Sequence, residues 1–172
     1  MDQKMEQFRT FSPLHREYLY SVFTSILRYY GKNLTAFAVF GSYARRENRK
    51  NSDLDLLMIL KHTTRRSERI REFIDAIEMK NESLAQRLYE SDGIMCELSP
   101  LILSETESRS FHPVYSDMAE HCIVLYDPTE LLQKILLSAK ALLTETSARK
   151  VRRNNTWEWQ FSRFLGGVKL LK

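Results

Sequence analysis

The stretch from residue 41 to residue 60 constrains the fold of this chain more than any other. An apolar run at residues 35–40 leads into Gly41-Ser42, a basic polar loop follows, and a second apolar run occupies residues 54–60. Short apolar runs bounded by glycine and polar residues are typical of buried strands. We therefore expect two neighbouring strands joined by a charged loop.

Two aspartates stand at the start of the second run. Side chains two residues apart in a strand share a face, at a separation of roughly 7 Å, so Asp53 and Asp55 should point the same way. Ionised carboxylates side by side repel each other and need a positive partner. Mg²⁺ prefers carboxylate oxygens, usually together with substrate phosphates. The aspartate pair therefore predicts a magnesium site for a phosphate-bearing substrate.

The glycine turn supplies the other half of such a site. Gly41 lacks a Cβ atom, so backbone and ligand can approach closely there. Ser42 offers a hydroxyl group and an amide, and a short helix starting here would add its free amides and positive dipole end to anion binding. Arg45 adds a positive charge, for which a salt bridge to Glu47 is the competing interpretation. We expect this turn to hold nucleotide phosphates.

The spacing of these residues resembles a known signature. The Gly41-Ser42 pair, ten intervening residues and the Asp53-Leu54-Asp55 triplet resemble the motif of the DNA polymerase beta-like nucleotidyltransferase superfamily, and especially its small prokaryotic members, the minimal nucleotidyltransferases (MNT). The family pattern reads Gly-Ser-x-Ala-Arg-Gly, and this chain has Arg46 in place of the last glycine. With the order of the apolar segments, the resemblance predicts an α/β fold with a mixed sheet of four or five strands flanked by helices.

The resemblance also implies a reaction, the transfer of a nucleoside monophosphate from a nucleoside triphosphate to an acceptor hydroxyl group. The expected cofactor is Mg²⁺, as a pair of ions, and the expected co-substrate is ATP. Family members use a third acidic residue from a later strand, and Glu97 is the candidate because Cys96 and Leu98 on either side should face inward. Glu105 and Glu120 remain alternatives for this third acid.

The expected site residues fall into two groups. The catalytic and metal-binding group comprises Asp53, Asp55 and Glu97. The nucleotide-binding group comprises Gly41, Ser42, Arg45 and Ser52.

The acceptor stays open at this stage. One alternative is a hydroxyl group on a partner protein, because the chain resembles MNT antitoxins that are paired with helical HEPN toxins. Another is a small molecule, as in aminoglycoside nucleotidyltransferases, although those usually carry an added helical domain and an acidic pocket. A third is a catalytically inactive nucleotide-binding module, or a nucleic-acid-binding module that uses Trp157, Trp159 and Phe161; packing of these aromatics onto a core is favoured over stacking on bases.

Composition narrows the class of protein. The net charge is +4 for 172 residues, and the basic residues concentrate at residues 45–50, 61–71 and 149–153. Cys96 and Cys122 lie in apolar runs without zinc-type spacing, so we expect reduced, buried thiols. The first residues lack the apolar stretch of a signal peptide, and no run is long enough to span a bilayer. We expect a cytoplasmic protein of undetermined oligomeric state.

The remaining pattern predicts one nucleotidyltransferase domain over residues 1–172, with a core at about 12–145 and a C-terminal extension at 146–172. The first helix should begin at Ser12 as N-cap and stop at Gly31, with Tyr29 on its buried face. A helical pattern starts at residue 67, with a break near residues 80–83, and another runs over residues 129–144 with Thr129 as N-cap. Strands are expected at residues 35–40, 54–60, 94–103, 122–126 and 157–161.

Overall fold

A four-stranded mixed sheet forms the centre of the protein, in a computed structural model that describes residues 1–153 and 156–171. Its strand order is β3-β2-β1-β4. β1 pairs antiparallel with both β2 and β4, whereas β2 and β3 are parallel. The predicted fold class is confirmed. The strands are β1 Leu34–Val39, β2 Leu54–Leu60, β3 Leu98–Ser104 and β4 Ile123–Tyr126.

Helices cover both faces of the sheet, and they build two separate cores. Alternation along β2 sends Leu54, Leu56 and Met58 into the core that contains α2 and α5. Leu57 and Ile59 enter the opposite core, which contains α7 and α8. The helices are α1 Asp2–Met5, α2 Pro13–Tyr30, α3 Gly41–Ala44, α4 Arg66–Phe73, α5 Met79–Asp92, α6 Glu105–Ser108, α7 Val114–Met118 and α8 Leu131–Glu145.

The first long helix starts and stops where the sequence predicts. The Ser12 side chain accepts a hydrogen bond from the His15 amide, and Gly31 ends the helix with a positive φ of 45°. The buried stripe differs at its end, because Tyr29 is 45% exposed and Tyr30 is buried instead. The helix turns by about 100° per residue, so a neighbouring tyrosine can take over the buried position.

Three boundaries differ from the sequence prediction. The third strand begins at Leu98 rather than residue 94, because residues 93–97 take no part in regular strand pairing. The helical region after residue 66 continues through residues 80–83, and its irregularity is a π-helical segment at Ile74–Glu78. Thr129 does not cap α8: Glu130 precedes that helix with a φ of 57°, and the Asp127 carboxylate accepts from the Gln133 amide.

The C-terminal segment forms a second, two-stranded sheet. β5 Arg149–Arg153 and β6 Thr156–Gln160 pair antiparallel, and β6 does not join the main sheet. The predicted turn at residues 154–155 lies outside the described residues. Leu165 is buried in the core beneath α8. The expectation of a single domain over the whole chain stays a prediction.

Within the described part of the chain, none of the helices combines the length and the apolar character that crossing a membrane requires.

Candidate active site

Gly41 and Asp55 are in direct contact at the end of the sheet. β1 and β2 are antiparallel neighbours, so the turn that follows β1 lies beside the start of β2. Gly41 has a φ of +67°, and a Cβ atom built there would lie 2.0 Å from Oδ2 of Asp55. The Phe40 amide donates to the Asp55 carbonyl oxygen at 3.1 Å, which fixes this approach. Only glycine fits, because both the backbone conformation and the available space exclude a side chain.

The two aspartates lie on the same face, as predicted. Asp53 directly precedes β2 and is exposed, whereas Asp55 is the second residue of the strand and is partly buried. Burial, and next the negative charge of Asp53, raise the pKa of Asp55 to about 6. The Arg45 guanidinium and a hydrogen bond from Ser99 oppose this shift. The pair thus concentrates negative charge where a cation would be stabilised.

The loop between Gly41 and Asp53 carries the basic candidates. Arg45 donates to Glu47 at 2.9 Å, so the structure contains the salt bridge that the sequence offered as the competing interpretation. The positive charge of the same guanidinium also lowers the pKa of Asp55. Arg46 has a left-handed φ of 59° where the family pattern has glycine, so the chain keeps the turn with an arginine. The Ser52 hydroxyl accepts a hydrogen bond from the Arg49 amide at 2.8 Å, so this side chain stabilises the loop itself.

Glu97 lies next to the start of β3, one residue before the strand. Its side chain is exposed beside exposed Met95 while Cys96 is buried, as the alternation predicts. Its carbonyl oxygen accepts from the Leu54 amide at 2.8 Å, so its backbone sits between the positions of the two aspartates. Burial, and next the negative charge of Glu97, raise the pKa of Glu78.

The alternative third acids are engaged elsewhere. Glu105 follows the far end of β3 and accepts from the Thr35 hydroxyl at 2.6 Å. Glu120 accepts from Lys150 of the C-terminal hairpin at 2.5 Å. Glu97 therefore remains the candidate for the third acid of the site.

A groove of about 430 Å³ opens beside Glu97. It runs between α5 and residues 94–98, which follow that helix. Three of its lining side chains are carboxylates, and Met79, Tyr89 and Met95 add apolar surface that is 49–60% exposed. The carboxylates are Glu78, Glu82 and Glu97. This acidic groove was not predicted from the sequence, although α5 and residues 94–98 are neighbours along the chain.

The aspartate pair fits a divalent metal ion. In the described residues, no three His, Cys, Asp or Glu side chains converge as a complete metal-binding set. Mg²⁺ is commonly held by one or two carboxylates and completes its shell with water and substrate phosphate oxygens. The carboxylate of Asp55, whose pKa is raised by burial and by Asp53, has the donor chemistry for such an ion.

Two residues at the site, Ser99 and Tyr43, were not predicted from the sequence. Ser99 hydrogen-bonds Asp55 because the parallel register of β2 and β3 places the two residues opposite each other. Tyr43, next to Ser42, is fully buried and bonds with His15 and Cys96. Ser99 lies two residues after Glu97, and this spacing could have indicated that it shares a face with Glu97 near Asp55. Nothing in the sequence indicated the contacts of Tyr43 with His15 and Cys96.

The family comparison agrees with this geometry. Residues 21–98 match the family model described as nucleotidyltransferase domain. The matched segment includes the glycine turn and the aspartate pair, and it ends one residue after Glu97. The predicted resemblance to nucleotidyltransferases and the predicted enzyme class are thereby confirmed. No curated protein matches the chain significantly.

Several solved structures are similar to this chain. Spectinomycin adenyltransferase AAD(9) from Enterococcus faecialis, with ATP and spectinomycin, is 14% identical with a TM-score of 0.52, over 76% of this chain and 65% of that one. A toxin-antitoxin with AMP-PNP is 19% identical with a TM-score of 0.42, over 73% of this chain and 90% of that one. The complex of tri-AMPylated Shewanella oneidensis HEPN toxin with MNT antitoxin is 18% identical with a TM-score of 0.38, over 76% and 92%. The first of these supports the shared fold.

Proposed function

We propose that this protein is a Mg²⁺-dependent nucleotidyltransferase that moves AMP from ATP to an acceptor hydroxyl group on a partner protein of the helical HEPN type. The observation that carries the proposal is the contact between Gly41 and Asp55, which places a paired carboxylate site directly against a backbone turn suited to phosphates. A purely structural role would not require a partly buried carboxylate whose pKa burial and the charge of Asp53 raise to about 6.

Each site residue has a role in this proposal. Asp53 and Asp55 would hold Mg²⁺ together with phosphate oxygens of the substrate, and the ion would neutralise charge on the triphosphate, while Glu97 would lie on the acceptor side. The Gly41 backbone and Ser42 would hold the outer phosphates, with Arg45 and Ser52 beside them. Positioned donors and charges of this kind stabilise charge that develops during the reaction.

The chemical step is a substitution at the α-phosphorus of ATP. The acceptor oxygen forms a bond to that phosphorus, the bond to the β-phosphate oxygen breaks, and pyrophosphate leaves with the electron pair. Glu97 would take the acceptor proton, because an exposed carboxylate beside the groove can reach a hydroxyl group directly or through one water molecule. The acceptor would enter along the groove between α5 and residues 94–98.

A small cationic molecule is the second candidate acceptor. The groove has a volume of about 430 Å³, within the range of about 300–1,000 Å³ that is usual for small-molecule sites. Its carboxylates, Glu78, Glu82 and Glu97, would attract amino groups. A nucleic acid is less favoured, because Trp159 donates to Asp117 and lies beside Lys150, and Phe161 packs against Phe111. The Trp157 side chain lies outside the described residues.

The proposal is tested with purified protein, ATP labelled at the α-phosphate and Mg²⁺. One set of reactions receives a protein extract of the source organism, and a second receives spectinomycin and other aminoglycosides. Asp53→Ala is the test variant, and Asp75→Ala, which removes an exposed carboxylate on the π-helical segment, is the matched control. We expect labelled product with wild type and Asp75→Ala but not with Asp53→Ala. If wild type labels neither set and Asp53→Ala binds ATP as well as wild type does, the protein is not this enzyme.

A further inference from the structure

A buried chain of polar side chains lies beneath the glycine turn. His15 Nε2 lies 3.1 Å from the Tyr43 hydroxyl oxygen, and the Tyr43 hydroxyl lies 3.2 Å from Sγ of Cys96. His15 and Tyr43 are fully buried, and Cys96 is 8% exposed. Buried polar groups are rarely kept in an apolar core unless they are satisfied and serve to fix a geometry.

The hydrogen bonds have a defined direction. The Phe11 amide donates to Nδ1 of His15, so the imidazole proton is on Nε2 and is donated to the Tyr43 oxygen. The Tyr43 hydroxyl then donates to the Cys96 sulfur. Burial lowers the pKa of His15 to about 4, with Asp92 opposing the shift, so the ring is neutral at physiological pH. Every member of the chain of bonds therefore keeps one role.

The two ends of this chain belong to different parts of the candidate site. Tyr43 directly follows Ser42, which would hold the triphosphate. Cys96 directly precedes Glu97, which would take the acceptor proton. The Cys96 carbonyl oxygen also accepts from the Tyr18 hydroxyl at 3.2 Å, which anchors the same segment to α2. The Tyr43 hydroxyl is thus a direct polar link between the turn and the residue next to Glu97.

We infer that Tyr43 is a positioning residue, whose hydroxyl group sets the distance between the phosphate-binding turn and Glu97. The inference rests on the proposed function, because it assigns Glu97 to the acceptor side and Ser42 to the nucleotide side. A displacement of about 1 Å between reacting groups can lower a rate by as much as 100-fold. Ground-state binding of ATP depends on the turn and the aspartates themselves, so it changes less than the chemical step.

The test compares two buried tyrosines. Tyr43→Phe removes only the bridging hydroxyl group. Tyr115→Phe is the matched control: Tyr115 is fully buried in the opposite core and its hydroxyl donates to the Ser108 carbonyl at 3.0 Å. Tyr43→Phe loses the two hydrogen bonds with His15 and Cys96, and Tyr115→Phe loses one, so thermal unfolding is measured for each variant and should show the larger decrease for Tyr43→Phe. Initial rates are measured with the acceptor that wild type labels, at varied ATP concentration.

We expect Tyr43→Phe to lower kcat by about tenfold or more, with KM for ATP within about twofold of wild type. Tyr115→Phe should leave both constants near wild type. A second pair of variants tests the sulfur: Cys96→Ser keeps an acceptor for the Tyr43 hydroxyl and should retain most of kcat, whereas Cys96→Ala should behave like Tyr43→Phe.

The outcomes separate the two proposals. If wild type labels no acceptor, the proposed function fails and the role of Tyr43 fails with it. If wild type is active and Tyr43→Phe keeps its kcat, or Tyr115→Phe loses as much, only the inference about Tyr43 is refuted. Equal activity of Cys96→Ser and Cys96→Ala would refute it in the same way.

Discussion

Replacement of Asp55 by asparagine should stabilise the free protein while abolishing transfer. The carboxyl group has a pKa of about 6 in the folded chain against 3.8 ordinarily, chiefly because of burial. Each pKa unit corresponds to about 1.36 kcal/mol, so the ionised group costs roughly 3 kcal/mol at neutral pH. Because Asp55 remains partly accessible to solvent, we discount this to about 1–3 kcal/mol. Asparagine keeps the shape and an acceptor for Ser99 without the charge.

The pH dependence gives the prediction its sign. The folded pKa is raised, so the folded state binds the Asp55 proton more tightly than the unfolded state does. The associated stability is fully present below about pH 4 and is lost as the pH rises through about 6. Asp55→Asn lacks this loss, so its advantage over wild type should appear at pH 8 and vanish near pH 4.

Urea and thermal denaturation at pH 4, 6 and 8 measure this difference. For a chain of this size, about 2 kcal/mol corresponds to a rise in Tm of roughly 4–8 °C. Asp53→Asn is the companion variant: it removes only the second cause of the Asp55 shift, so its gain should be smaller. The reasoning is refuted if Asp55→Asn is no more stable than wild type at pH 8, or if its advantage persists unchanged at pH 4.

Three further predictions concern the glycine turn and the periphery. Gly41→Ala should abolish nucleotide binding and lower stability by about 1–3 kcal/mol, because its Cβ atom would meet Asp55 at 2.0 Å; calorimetric ATP titration that matches wild type would contradict this. Arg46→Gly should raise stability by about 1 kcal/mol because Arg46 holds a φ of 59°, and an unchanged or lower Tm would contradict that. Glu107→Gln should destabilise the protein by about 1–2 kcal/mol at pH 7, since hydrogen bonding to buried Arg69 lowers the pKa of Glu107 to about 2. That loss should shrink as the pH falls from about 4.5 towards 2, and a pH-independent difference in denaturation would argue against it.

Local signals were enough to predict the central strands and the aspartate pair. The apolar run of β2 and the spacing of Asp53 and Asp55 depend only on neighbours along the chain, so the face they share could be predicted. The start of β3 could not be predicted, because pairing with a distant strand decides where a ladder begins. The cap of α8 was also missed, because Asp127 rather than Thr129 accepts a hydrogen bond from the start of that helix. Propensity alone does not contain that information.

Contacts between distant segments account for what was missed at the site. Ser99 meets Asp55 only through the parallel register of two strands that are separated by a long helical crossover. The close approach of Gly41 was predicted from its missing Cβ, but the structure fills that space with the Asp55 carboxylate. Its partner could not be known before the strands were paired.

Transfer of the α-phosphate label from ATP tests the central proposal most directly. With Mg²⁺, wild type should attach the label to an acceptor hydroxyl group and release pyrophosphate in equal amount. Replacing Asp53 and Asp55 together by alanine should abolish both products, and chelation of the metal with EDTA should do the same. Product formation that survives the double substitution would contradict the assignment of the two aspartates as the catalytic centre.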